Sequence, residues 1–131
     1  MMISREFDEA NRERRDKEKM KTGLELIREE RKRQIEKGYT ADHDDTHTDE
    51  ELADGAALYA LSDDARSFID DEWGNDMYLH FWQFELKYLK FTPNNRIKQL
   101  TKAGAMIVAE IERLQRLELN DKVNRLNKLI K

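Results

Sequence analysis

The chain has no cysteine, which excludes disulfides and thiolate metal sites and fits a reducing compartment. Any metal would be held by oxygen and imidazole. One proline and five glycines are spread over 131 residues, so little interrupts a helix. No apolar run approaches the roughly 20 residues that span a bilayer, and the opening "MMISREFDEANRERRDKEKM" lacks the apolar segment of a signal peptide. A soluble, cytoplasmic protein with no membrane partner is expected. Neither sign of charge dominates: 24 basic and 28 acidic residues give a net −4, mixed along the chain, and no general nucleic-acid binding is expected. The basic runs "RERRDKEKMK" and "REERKRQIEK" are interrupted by glutamates and read as solvated helix faces laced with i,i+4 pairs.

Charged residues (40%) outnumber hydrophobic ones (38%), so one small domain with a thin core is expected. Abundant Glu, Lys, Arg, Leu and Ala without period-two alternation predict an all-α fold, a small bundle of four to five helices with short connections. Residues 1–20 are charged, carry almost no apolar face and are expected to fray or to dock on a partner. Residues 21–131 then form a single helical domain. A thin core favours a homo-oligomer, joined through the aromatic segment or the carboxyl-terminal seam described below.

In "LELIREERKRQIEKG", Leu24, Ile27, Arg31 and Gln34/Ile35 lie along one stripe, and Gly38 is placed to end the helix in a left-handed cap. "GYTADHDDTH" (38–47) follows, too polar and turn-rich for a helix interior or buried strand. Thr48 then reads as an N-cap, with Glu51 completing a capping box. On the next helix Leu52, Ala56 and Tyr59 share a face beside Gly55, where another helix can approach closely. "SDDARSFIDDEWGND" reads as a short amphipathic segment with Phe68, Ile69 and Trp73. In "MYLHFWQFELKYLKF", Leu79, Trp82, Leu86 and Leu89 fall at helical spacing, and the stripe reads as core or dimer interface before ligand box. "TPNNR" punctuates. In the last long segment Leu100, Gly104, Ile107, Ile111 and Leu114 make an a/d-like seam that resumes at Val123, Leu126 and Ile130 after a break at Asn120.

The 38–47 loop holds the chemistry. His43, Asp44, Asp45 and His47 offer imidazole and carboxylate, a set that suits Mg, Mn or Zn according to geometry. In an extended chain Asp45 and His47 converge while Asp44 points away. The plainer reading makes the aspartates Asx turns that support the positive end of the next helix. The loop is followed by Glu50, Glu51 and Asp54, and the last helix carries Glu110 and Glu112 in "AGAMIVAEIERL". Glu112 faces outward. Glu110 lies at the seam's margin, where it pairs with Arg113 or Lys102 or meets Glu51 over one metal ion, the two helices packing through Ala56 and Gly104.

"ERKRQIEKGYTADHDDTHTDEELADGAALYA" and "KAGAMIVAEIERLQR" together resemble a family of short phage and prophage proteins, over roughly residues 29–60 and 100–116. The resemblance implies a phage or prophage origin and action in the host cell cytosol. A looser similarity is to the MazG-type all-α nucleoside triphosphate pyrophosphohydrolases, which hold Mg²⁺ on E-E-x-x-E and E-x-x-D motifs. Here E-E-x-x-D (Glu50, Glu51, Asp54) stands for the first, and Glu110–Arg113 does not supply the second. The combined reading expects a nucleotide-type ligand with Mg or Mn. Its metal ligands would be Asp44, Asp45, His47, Glu51 and Glu110, with Glu51 and Glu110 catalytic. Its ligand contacts would be Arg31, Arg33, Gln34, Tyr39, His43 and Lys102, the cations neutralising phosphate charge. The competing class is a non-enzymatic phage protein that binds a host factor or sequesters a nucleotide signal.

Overall fold

A computed structural model describes residues 2–74 and 80–130. Among these residues every regular element is helical: α1 (Met2–Lys19), α2 (Gly23–Glu36), α3 (Ala41–Asp44), α4 (Glu51–Ala60), α5 (Asp63–Trp73) and α6 (Arg96–Ile130), with a 3₁₀ turn at Leu86–Tyr88. The all-α expectation holds, with six helices counted among the described residues where four or five were expected. No helix among the described residues is long and apolar enough to cross a membrane.

Three helix starts are set by local side chains. Thr22 Oγ1 accepts from Glu25 N (3.1 Å), Ser62 Oγ from Ala65 N (3.1 Å) and Asn95 Oδ1 from Lys98 N (3.1 Å), each satisfying an amide that has no partner within its helix. Helix α2 ends as its glycine predicts. Gly38 takes φ 108°, its amide donates to Ile35 O (3.0 Å), and Tyr39 N reaches back to Gln34 O (3.0 Å), the paired bonds of a Schellman motif.

Helix α6 is the axis, with α4, α2 and α3 packed along it. Lys102 Nζ lies 5.5 Å over the Tyr59 ring, and one turn further along α6 Met106 packs on Gly55, one turn back along α4. The two helices therefore run antiparallel. The core between them comprises Leu52, Ala56, Leu58, Tyr59, Ala103, Met106 and Ala109, closed by Trp82. Gly104 faces Ile27 of α2, so this glycine serves the α2–α6 contact and not the expected α4–α6 one. The carboxyl end of α4 is capped from elsewhere in the chain. Arg66 donates to Leu58 O (3.0 Å) and Leu61 O (2.7 Å), and Arg96 donates to Tyr59 O, Ala60 O and Leu61 O, satisfying carbonyls that the helix leaves open.

Several expectations need correction. Residues 82–95 are not a helix apart from the 3₁₀ turn; they form a strap whose aromatics close the core. Trp82 Nε1 donates to Glu85 O (3.1 Å), Lys90 N donates to Tyr59 Oη (3.0 Å), and Gln99 Nε2 donates to Thr92 O (3.0 Å). Helical spacing of apolar residues failed as a guide here because rings on a strap reach the core from any register. Leu79 lies outside the described residues. The a/d seam is on the outside: Leu100, Ile107, Ile111 and Leu114 are 38–51% exposed. Helix α6 instead buries a face of alanines with Met106, Gln99, Glu110 and Arg113, because small residues let α4 and α2 approach. On α2, Leu24 and Ile35 are exposed and Arg31 is the buried residue. Phe68 of α5 is exposed. Helix α6 runs through Asn120 without a break, and Val123, Leu126 and Ile130 are exposed.

Candidate functional site

The stretch 38–47 is not a plain loop. Its centre forms the single turn α3, with Asp44 N bonded to Thr40 O (2.9 Å) and Asp45 N to Ala41 O (2.9 Å), and a tighter turn follows through Thr46 N to His43 O (3.1 Å) and His47 N to Asp44 O (3.0 Å). The expected capping box is not formed: α4 begins at Glu51, after Glu50 in the left-handed region at φ 62°. Freed from capping, Glu51 turns its carboxylate back, Oε1 accepting from Asp49 N at 3.3 Å.

The two aspartates reverse the directions predicted for an extended chain. Asp44 points inward, 1% exposed, and accepts from Arg31 Nη2 (2.8 Å). Burial pushes its pKa up against the opposing pull of the Arg31 charge. Arg31 Nη1 also donates to Tyr39 O (3.2 Å), while its Nε is buried without a hydrogen-bond partner. Asp45 points to α6, its carboxylate gripped by Arg116 through Nη2 (2.7 Å) and Nε (3.1 Å). That hydrogen bond raises the pKa of Arg116 further.

It is the imidazoles that converge. His43 Nε2 and His47 Nε2 lie 3.3 Å apart. His47 Nδ1 lies 3.3 Å from Glu51 Oε2, but the two make no hydrogen bond, and Glu51 Oε2 remains a buried oxygen without a hydrogen-bond partner. Rings continue on both sides, edge to face. Tyr39 packs on His43 (5.3 Å between centroids), His47 on Phe84 (4.7 Å), Phe84 on Trp82 (5.0 Å) and Trp82 on Tyr59 (5.8 Å).

Beside this row sits a charged cluster. Glu30 of α2 accepts from Arg33 Nε (2.8 Å) and Gln34 Nε2 (3.4 Å). Partial burial pushes the Glu30 pKa up, but Arg33, Gln34 and Lys102 outweigh it and hold the group below its ordinary value. Lys102 donates to Lys90 O (2.8 Å), and burial together with the neighbouring Lys98 charge lowers its pKa. Burial raises that of Tyr59. Of the predicted ligand contacts, Arg33, Gln34, Tyr39 and Lys102 thus lie within electrostatic reach of Glu30 or of one another, His43 packs on Tyr39, and Arg31 is committed to Asp44.

The predicted acids are dispersed among cations. Asp44 is held by Arg31, Asp45 by Arg116, and Glu110 by Arg113 Nε, one of the two cations foreseen for it. The antiparallel register that sets Tyr59 on Lys102 and Gly55 on Met106 puts Glu51 and Glu110 at the same level of the bundle, and each keeps one buried oxygen without a hydrogen-bond partner. Among the described residues no three His, Asp or Glu side chains group as they would around a metal ion. The sequence places Phe84 only in the aromatic stripe read as core or dimer interface, and gives no role to Glu30 and Arg116, although both fall in the motif segments; the i+3 and i+4 spacing of Glu30 to Arg33 and Gln34 was the available signal.

No protein-family model matches this chain. No curated protein and no solved structure shows a significant match to it.

Proposed function

We propose that this protein binds a nucleotide-type anion at the face built by Arg33, Tyr39, His43 and Lys102, and that it acts by holding this ligand, as a sequestering protein would, without turning it over. One observation carries the reading. Arg33 of α2 and Lys102 of α6, far apart in sequence, act together on Glu30 as exposed and half-buried cations, and the Tyr39 ring adjoins Arg33 with His43 packed on it. Cations supply the charge that phosphate oxygens need, and rings beside them suit a base. Metal-assisted hydrolysis of the MazG type needs carboxylates that converge on one ion, whereas Asp44, Asp45 and Glu110 are each turned to an arginine. Mg or Mn would then come with the phosphates and not from a carboxylate cage.

The test is a thermal-shift and calorimetric screen of nucleotides with and without Mg²⁺ or Mn²⁺, since selective binding to the folded state raises its stability. Phosphorylated nucleotides are expected to raise the melting temperature more than the parent nucleosides, and Lys102→Met and Arg33→Met to remove the difference. A flat response across the panel would overturn the reading.

The outward seam of α6 favours a second reading, partner binding by a phage protein. Ile107 and Ile111 are 47% and 51% exposed, and apolar anchors at such spacing suit a host protein's groove or helix. A photo-cross-linking residue at position 107 should label one host protein in infected-cell extract, and Ile111→Lys should abolish the label. Equal labelling by both forms would dismiss it.

A further inference from the structure

We infer that His43 and His47 form a two-imidazole clamp for a borderline transition-metal ion, Zn²⁺ in the first place, with Glu51 as its outer carboxylate. The inference goes beyond the nucleotide reading, with which it shares His43, and its probe is the metal alone, so either can fail without the other. The spacing is the first argument. Zn–N bonds of about 2.0–2.1 Å at a tetrahedral angle put two ligand nitrogens about 3.3–3.4 Å apart. His43 Nε2 and His47 Nε2 are 3.3 Å apart, at the long end for an N–H···N hydrogen bond and at the separation that metal chelation requires.

The second argument is proton placement. The Glu51 carboxylate, 3.3 Å from His47 Nδ1, favours a proton on that nitrogen and leaves the Nε2 lone pair facing His43. A carboxylate behind the far nitrogen is the usual outer partner of a metal-binding histidine. Glu51 is itself buried and keeps Oε2 without a hydrogen-bond partner, so this oxygen has an acceptor position open to the Nδ1–H beside it.

The third argument is rigidity. The backbone between the two histidines is fixed by consecutive helical and 3₁₀ bonds. Asp44 anchors it inward to Arg31 and Asp45 anchors it to Arg116, while Tyr39 and Phe84 brace the two rings from outside. His43 is exposed, so the ion has an entry path and its remaining positions face solvent. Imidazole donors select Zn²⁺, Ni²⁺ or Cu²⁺ over Mg²⁺. The arginine partners of Asp44 and Asp45 then hold the frame of the clamp rather than compete for the ion.

The chain has three histidines, which supplies an internal control. Titration with Zn²⁺ should show one saturable site per chain, lost in His43→Ala and in His47→Ala and unchanged in His80→Ala, with Mg²⁺ producing no heat. Glu51→Gln, a change at a positioning residue, should weaken Zn²⁺ binding by about 10–100-fold. Long-range ¹H–¹⁵N spectra of the wild-type chain should move Nε2 of His43 and His47 together on adding Zn²⁺ and leave His80 in place, a readout that stands even if a variant fails to fold. Absence of saturable Zn²⁺ binding, or binding that leaves those two nitrogens unmoved, would overturn the inference.

Discussion

Arg31 and Asp44 meet in the interior, Nη2 to Oδ2 at 2.8 Å, with 7% and 1% of their surfaces exposed, while the adjacent Asp45 faces the other way to a half-exposed Arg116. Two neighbouring aspartates thus bind two different helices, and their energetic weights differ because one pair is withdrawn from water and the other is not. Removing one partner of a buried pair strands the remaining charge, at a cost of about 3–5 kcal/mol. A surface pair contributes about 0–1 kcal/mol. Urea unfolding of Asp44→Ala should show the first loss, and Asp45→Ala no more than the second. Equal losses would mean that Arg31 is not sealed by α3.

Asp44 also gives the fold a pH signature. Its folded pKa is raised, by burial first, so the native state holds this proton more tightly than the unfolded chain does. The extra stability of the protonated form is fully present below the unfolded value near 3.9 and is lost as pH rises through the higher folded value, while the pair with Arg31 that Asp44→Ala would break stays in place. Glu30 works in the opposite sense: its pKa is lowered, and its contribution is lost as pH falls. Because Asp44→Asn leaves Glu30 in place, the stability difference between wild type and variant isolates Asp44. That difference should shift against the wild type as pH climbs from about 3.5 towards neutrality. A flat or opposite slope in urea midpoints would contradict the burial of this carboxyl.

The sequence made some of this legible and hid the rest for physical reasons. The α4 core face could be read from the helical spacing of Leu52, Ala56 and Tyr59, and the Gly38 cap and the Glu110–Arg113 pair because each rests on contacts within a few residues. The direction of α6 could not. Its most apolar stripe, Leu100 to Leu114, looks like a core by hydropathy, yet the bundle uses the alanine face because α2 and α4 must come close. The same limit applies at the candidate site. Asp44, Asp45 and His47 were picked out by type, but which of them converge depends on Arg31 and Arg116 from distant helices, and the α3 turn that brings His43 to His47 follows from those anchors. The strap carrying Phe84 has no period to read, since its placement comes from tertiary bonds such as Lys90 N to Tyr59 Oη.

The close approach of α2 and α4 to α6 can be tested at two glycines whose neighbours differ. A methyl on Gly104 would lie 2.5 Å from Ile27 Cδ1 and 2.8 Å from its Cγ1, and one on Gly55 would lie 2.7 Å from Met106 Cε and 2.9 Å from Trp82 Cζ3. Alanine gains up to about 1 kcal/mol of helix propensity at either site, against about 1–3 kcal/mol for overpacking a filled core. Met106 is flexible and can yield, whereas Ile27 is β-branched and meets the methyl with Cγ1 as well as Cδ1, so it cannot swing aside without a shift of α2. The Trp82 ring cannot yield either, because it is buried, wedged between Tyr59 and Phe84, and tied to Glu85 O. Gly104→Ala and Gly55→Ala should therefore each destabilise, by about 1–2 kcal/mol. In a Trp73→Phe background, which leaves Trp82 as the single indole, Gly55→Ala should also shift fluorescence emission to the red while Gly104→Ala leaves it in place. A Gly55→Ala protein with unshifted emission and undiminished stability would show that the strap does not rest on α4, and the row of rings that braces His47 would lose its foundation.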